Sequence, residues 1–193
     1  MTPISSCRSF APSTRQTVLT IAIAFLACLS TSHGADMKIR RGGEIAYQDR
    51  AEILDLLNAY SHYIDAHQGE ALAALFTPDG EMEFLGKRFK GHDQLAKFGS
   101  GPGPIPGRLG LHFVGQTLLA QLAPDRVIAR STVIVGNRDP TNLQEDAKFT
   151  TFGVYDDLIV RTPHGWRFAR RSSGPTSPLP PELLPADVSR ERQ

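Results

Sequence analysis

Apolar residues recur at helical spacing from Asp49 onward: Ile53, Leu56, Leu57, Tyr60 and Ile64 fall on one stripe. That spacing predicts an amphipathic helix, with Asp49 as its cap and Glu52 three residues on, the interval of a capping box. "GEALAALF" predicts a second, shorter helix, stopped by "TPDG", where Pro78 and Gly80 mark a turn. In "EMEFLGKRFKG" the alternation Glu81, Met82, Glu83, Phe84 predicts a half-buried strand, and "HDQLAKFG" predicts a short helix. "SGPGPIPGRLG", with three prolines and four glycines after Ser100, reads as a mobile loop and a lid beside a pocket.

The period then changes from helix to strand. "LHFVGQTLLAQL" and "RVIARSTVIVGN" flank "APD", while "KFTTFGVYDDLIVRT" and "WRFARRSS" flank "PHG". Both pairs predict hairpins of an antiparallel sheet. Pattern alone does not separate inward positions such as Val133, Val135 and Phe152 from outward Thr132 and Thr151. Helices first, one strand, then a long meander imply an α+β fold with helices on one face of a curved sheet. A pocket lies between the layers, with Asp65 at the end of the first helix pointing toward it.

The first residues are set apart from that fold. "MTPISSCRSFAPSTRQ" carries Arg8 and Arg15 and no acid, and a twelve-residue apolar run, Val18 to Leu29, leads into small and polar "STSHGA". This is the order of a secretory signal peptide, and the run is too short for a stable span of about 20 residues. A lipoprotein anchor at Cys28 is the weaker reading, because Phe25 and Leu26 make a poor lipobox. Cleavage after Gly34 or Ala35 removes both cysteines, Cys7 and Cys28, leaving neither disulfide nor thiol nucleophile. The chain of 193 residues balances 21 basic against 20 acidic side chains, which gives no electrostatic reason to expect nucleic acid.

Two residues stand out chemically. On an alternating strand His112, Val114 and Gln116 share one face, with Phe113 and Gly115 on the other. Asp65, followed by Gln68 and Gly69, fits a residue bonded to local backbone at a helix end, and a lone histidine is more often structural. Taken together they support a sharper reading, in which Asp65 holds the ring of His112 and His112 acts as a general base. Tyr60 faces inward by periodicity and suits core packing or a ligand contact; Tyr63 and Tyr155 are further candidates. His62 and His67 do not share a helical face, and no third ligand stands at a zinc spacing, so no metal is expected. "YDDL" places its acids on opposite faces, Trp166 reads as a core anchor, and Arg170 and Arg171 read as a solvated strand end.

Residues 47 to about 173 resemble the nuclear transport factor 2-like superfamily in its SnoaL-like branch. The resemblance rests on "RAEILDLLNAYSHYIDAHQGEALAALFTPDGEMEF", a later histidine opening a strand, and "GWRFARRSS". "HFVGQT" resembles the histidine-bearing strand of scytalone dehydratase. "YIDAHQGE" resembles the aspartate-bearing helix end of that enzyme and of hexachlorocyclohexane dehydrochlorinase. The resemblance implies a cone-shaped α+β barrel and an Asp65–His112 catalytic pair for an elimination. It also implies departures: the dehydratase's second histidine falls near Asn137, its active-site asparagine near Tyr155, one tyrosine at Phe84 and another at Ile64. Scytalone is therefore not the expected substrate. Tyr60, Tyr63, Phe84, Val114, Asn137 and Tyr155 are the expected ligand contacts.

The chain is accordingly divided into a signal peptide (1–35), a flexible lead-in (36–46), a SnoaL-like domain (47–173) and a Pro-rich tail (174–193), disordered or draped over the body. The leading reading is an exported, periplasmic or secreted, cofactor-free lyase or isomerase acting on a small apolar carbonyl or cyclic substrate. The alternative is a non-catalytic binder of a hydrophobic molecule in the cell envelope. A third, a subunit of a larger assembly such as a ring-hydroxylating dioxygenase, fits a secretory signal poorly. The resemblance also implies a homodimer through the open sheet face.

Overall fold

The computed structural model describes residues 45–101, 109–142 and 144–184. The signal-peptide reading, most of the Pro/Gly loop after Ser100 and the last nine residues lie outside them. Helix α1 (Tyr47–Asp65) buries Ile53, Leu56, Leu57 and Tyr60, the stripe read from the sequence. Its start differs from the expectation. Ala46 is the N-cap and makes no side-chain cap bond, and the helix begins two residues before Asp49. The Asp49 carboxylate instead accepts from the Arg161 guanidinium and from Trp166 Nε1, the latter at 3.3 Å. Glu52 receives Gln48 Nε2 at 3.1 Å.

Helix α2 (Gly69–Ala73) packs on α3 (His92–Gly99) so closely that a Cβ at Gly69 would lie 2.0 Å from the Ala96 carbonyl oxygen. "TPDG" is not a turn between elements. It lies inside strand β1 (Phe76–Phe84), in the register irregularity between Phe76 and Glu81, a place where a proline costs no ladder bond. "EMEFLGKRFKG" is a hairpin of β1 and β2 (Lys87–Lys90), turned by Leu85 and Gly86 at φ +50° and +73°, the left-handed pair of a tight hairpin.

Strands β3 (Leu109–Ala123), β4 (Arg126–Arg138), β5 (Lys148–Thr162) and β6 (Gly165–Gly174) form the expected meander. The six-stranded sheet has the order β2-β1-β6-β5-β4-β3, antiparallel except for β1 against β6, and does not close on itself among the described residues. Burial of Phe76, Leu119, Val127, Val133, Ile159, Trp166 and Phe168 against the helices makes the core. Its centre is ionic. Arg171, expected on a solvated strand end, is wholly buried and binds Asp157 through Nε at 2.8 Å and Nη2 at 2.7 Å.

The outer face of the sheet is partly covered by the segment after β6. Arg130, paired with Asp156, donates to the carbonyl oxygens of Ser177 and Pro178 at 2.8 and 3.0 Å. Leu183 is buried there, so residues 175–184 drape over the body. No helix among the described residues is long and apolar enough to cross a membrane.

Candidate functional site: an aspartate–histidine pair at an apolar cavity

Asp65 is the last residue of α1, and the reversal behind it is local. His67 adopts φ +55°, the Gln68 N–H donates to Tyr63 O at 2.9 Å, and the His67 N–H to Ile64 O at 3.2 Å. This is a Schellman motif with histidine where glycine is usual. An acid at a helix C-terminus faces the negative end of the dipole, so helix stability does not account for it. Both Asp65 oxygens are instead engaged by a residue 47 positions away. Oδ2 accepts from the backbone N–H of His112 at 2.9 Å, and Oδ1 contacts His112 Nδ1 at 2.5 Å. Since a carboxylate only accepts, Nδ1 carries the hydrogen and Nε2 is left as the basic nitrogen.

His112 lies near the start of β3, half-buried with Val114. The alternation then breaks. The β3–β4 register shifts between Gly115 and Leu118, and Gln116 takes φ +51°. Gln116 Oε1 accepts from Thr132 Oγ1 at 3.0 Å, while Thr117 takes the inner side, its hydroxyl 2.9 Å from that of Ser131. Gln116 therefore does not share the face of His112 and Val114, because the bulge adds a residue and reverses the parity of the strand.

A cavity of about 570 Å³ lies where the end of α1 meets the edge strand β3, lined by Ser61 and Asp65 of the helix, by His112 and Val114 of the inner sheet face, and by Phe113 and Ile134 of the outer face, among others. That volume lies within the range of roughly 300–1,000 Å³ typical of small-molecule sites. Of the six expected ligand contacts, Val114 lines this cavity and the other five do not. Tyr60 and Tyr155 pack in the core, their rings 4.1 and 4.3 Å from the Arg171 guanidinium, and Tyr60 Oη donates to Met82 Sδ at 3.1 Å. Tyr63 and Phe84 are half-buried against the core, and Asn137 is buried opposite Lys148 in the β4–β5 ladder.

The centre of the core shifts its own groups. Burial pushes the Tyr155 hydroxyl up to about 12, with Arg171 opposing and Asp157 and Asp65 adding to the rise. Burial likewise holds Tyr60 well above the usual tyrosine range. It also pushes the Asp157 carboxyl upward against the pull of the Arg171 guanidinium, which Asp157 keeps protonated. Sequence reasoning missed Arg171 and missed Ser61, which stands one helical turn before Asp65. Among the described residues no group of three His, Cys, Asp or Glu side chains could hold a metal.

The family model of the SnoaL-like domain matches residues 46–172. The chain belongs to the SnoaL-like domain family. No curated protein matches this SnoaL-like chain at a significant level. Among solved structures it is similar to the Mycobacterium tuberculosis protein Rv3472, of unknown function: 22% identity, 74% of this chain and 80% of that one, TM-score 0.59. A protein provisionally described as a scytalone dehydratase, from Novosphingobium aromaticivorans, shares 24% identity over 67% of this chain and 85% of that one, TM-score 0.57. ActVI-ORFA from Streptomyces coelicolor shares 19% identity over 65% and 95%, TM-score 0.58. A further neighbour from N. aromaticivorans is an NTF2-like protein with a cystatin-like fold, at 22% identity over 83% and 90%, TM-score 0.56. These structural likenesses, with the family match, show the nuclear transport factor 2-like α+β fold.

Proposed function

We propose that this SnoaL-like protein is an exported lyase or isomerase that removes a proton from carbon in a small apolar carbonyl or cyclic substrate. One observation carries the reading: Asp65 holds both the backbone N–H and the ring Nδ1 of His112, at the wall of an apolar cavity. Bonding one residue at two points fixes the ring's tautomer and its rotation together, the preorganisation a general base needs.

In this reaction His112 Nε2 takes a proton from a carbon next to the substrate carbonyl, and the C–H electron pair moves into the enolate. The enolate then forms a carbon–carbon double bond as a β-hydroxyl leaves, and the imidazolium returns its proton to that hydroxyl as water. Asp65 stays ionised and stabilises the transient imidazolium. No external oxidant or reductant enters the balance. In the isomerase version the proton returns to a different carbon.

A second reading, a non-catalytic binder of hydrophobic molecules, is favoured by the departures at Ile64, Phe84, Asn137 and Tyr155 from the dehydratase pattern. The two separate on proton exchange. Cyclic ketones are incubated with the protein in D₂O and their α-hydrogens followed by NMR. The enzyme reading expects exchange above background that Asp65→Asn lowers by about 10²-fold or more and His112→Ala abolishes. Exchange at background with wild type, alongside a hydrophobic compound that co-purifies and binds both variants equally, overturns it in favour of the binder.

A further inference from the structure

We propose that the backbone N–H of Val114 receives the substrate's carbonyl oxygen and holds the enolate that forms on it beside His112. The inference rests on the reading of this cavity as the site of proton removal. Strand β3 is an edge of the sheet. Its outer residues Leu111 and Phe113 line the cavity together with its inner residues His112 and Val114, so the edge of the strand itself forms part of the wall. Along an antiparallel strand the N–H and C=O of one residue point to the same side, and the side alternates from residue to residue. The N–H of His112 points away from β4, because it donates to Asp65 Oδ2 at 2.9 Å. The residue opposite it agrees: the Val135 carbonyl faces β5, where it accepts from Thr150 Oγ1 at 3.2 Å. Pairing runs without a shift from Leu109 to Gly115, so the Val114 N–H points to the same outer edge as that of His112.

This edge suits a small oxygen rather than a further strand. Asp65 occupies it at His112, and the bulge at Gln116 ends its regular part just beyond Val114. Too little remains between them to pair with a peptide. On the outer side the strand is open, since a Cβ at Gly115 would meet no described atom within 4 Å. Other donors of the wall are less suited. Thr132 already donates to Gln116, and Asn58 and His62 are exposed helical side chains that must be ordered before they bond. The Val114 amide is instead held by the β3–β4 ladder. It stands about 7 Å along the strand from the His112 amide, within reach of a ketone whose α-carbon meets Nε2. As Nε2 takes the proton, the C–H electron pair forms the carbon–carbon double bond of the enolate and the carbonyl π pair moves onto oxygen. The Val114 N–H keeps its hydrogen and bonds that oxygen more strongly as its charge grows.

The test titrates cyclohexanone and its hydrocarbon isostere methylenecyclohexane into isotope-labelled protein, followed by NMR of the backbone amides. The ketone should move the Val114 amide proton downfield to saturation, and the hydrocarbon should not. No saturable shift with the ketone, equal shifts with both compounds, or a ketone-specific shift confined to Asn58 or His62 each overturn the donor. Val114→Pro removes the N–H without removing a ladder bond, as proline does at an outward-facing edge position. In that variant the ratio of ketone to hydrocarbon affinity should fall about 5–10-fold, the effect of one hydrogen bond, and an unchanged ratio overturns the proposal. The amide shift is read on wild type, so the test stands whether or not Val114→Pro folds. Ketone exchange in D₂O is independent of both readouts. Exchange above background with an unmoved Val114 amide removes the donor and leaves the base. A ketone-specific shift without exchange keeps Val114 as a carbonyl anchor and removes the lyase reading.

Discussion

Asp49 ties the first turn of α1 to the β5–β6 hairpin, accepting from Arg161, whose guanidinium also lies 4.5 Å over the Trp166 ring, and from Trp166 Nε1. The hydrogen bond from Arg161 holds its carboxyl below the ordinary value of 3.8, with burial opposing and Trp166 assisting. The folded protein thus binds this proton more weakly than the unfolded chain does. The stability gained is complete above the unfolded value and is lost as pH falls through 3.8 toward the folded value. Asp49→Asn should accordingly melt lower than wild type at pH 7, and the gap should close as pH drops below 4. Melting curves across that range check it, and a gap independent of pH removes the charge from the account. The same residue marks where local reasoning stops. The capping-box spacing is real, but the partner that claims Asp49 is 112 residues away. Asp65 and His112 were legible because each is odd in its own element: an acid at a helix C-terminus, and a histidine facing inward at a strand's start. Ser61 was not, since a serine at an inward helical position carries no such signal.

At the scale of elements, Gly69 sets how α2 meets α3. Helix propensity favours alanine over glycine by about 1 kcal/mol, but a Cβ here would stand 2.0 Å from Ala96 O and 2.1 Å from Ser100 Oγ. A backbone carbonyl cannot yield that far without moving α3, so sterics outweigh propensity. Gly69→Ala should lose about 2 kcal/mol or more, roughly 4–8 °C in Tm, and an unchanged Tm would mean that the helices part freely. Elements and their order were readable from periodicity, because the 3.6- and 2-residue patterns are long and uninterrupted. Bulges were not. In the β5–β6 hairpin Ile159 faces Phe168, but Leu158 faces Arg170 and Asp157 faces Arg171, because the register slips by one between Leu158 and Ile159. Without that slip Asp157 would meet Arg170. One unpaired residue decides which arginine enters the core, and the alternation in "RFARR" cannot show it. The bulge at Gln116 reverses parity in β3 in the same way.

At the scale of the whole molecule, the outer sheet face is unevenly covered. The segment from Pro175 to Leu184 lies over one part through the Arg130 bonds and Leu183. On the other part the β3–β4–β5 register lines up Phe113, Ile134 and Phe152 as neighbours, 58%, 37% and 80% exposed, with Leu111 and Phe149 beside them. Contiguous apolar surface of this kind is uncommon on a monomer. We propose that a second copy covers it, through a two-fold contact in which each strand row meets its own counterpart. Phe113 and Ile134 also wall the cavity, so pairing would narrow the cavity's mouth and shield the Asp65–His112 pair from water. Light scattering on size-exclusion chromatography should then report a dimer for wild type and a monomer for the double variant Phe149→Asp with Phe152→Asp, at residues that do not wall the cavity, with both proteins melting cooperatively. Under the same proposal, ketone α-hydrogen exchange should slow in the monomer even though Asp65, His112 and Phe113 are untouched. A wild type that stays monomeric at high micromolar concentration excludes the pairing, and it would mean that the cavity works with its rim open to solvent.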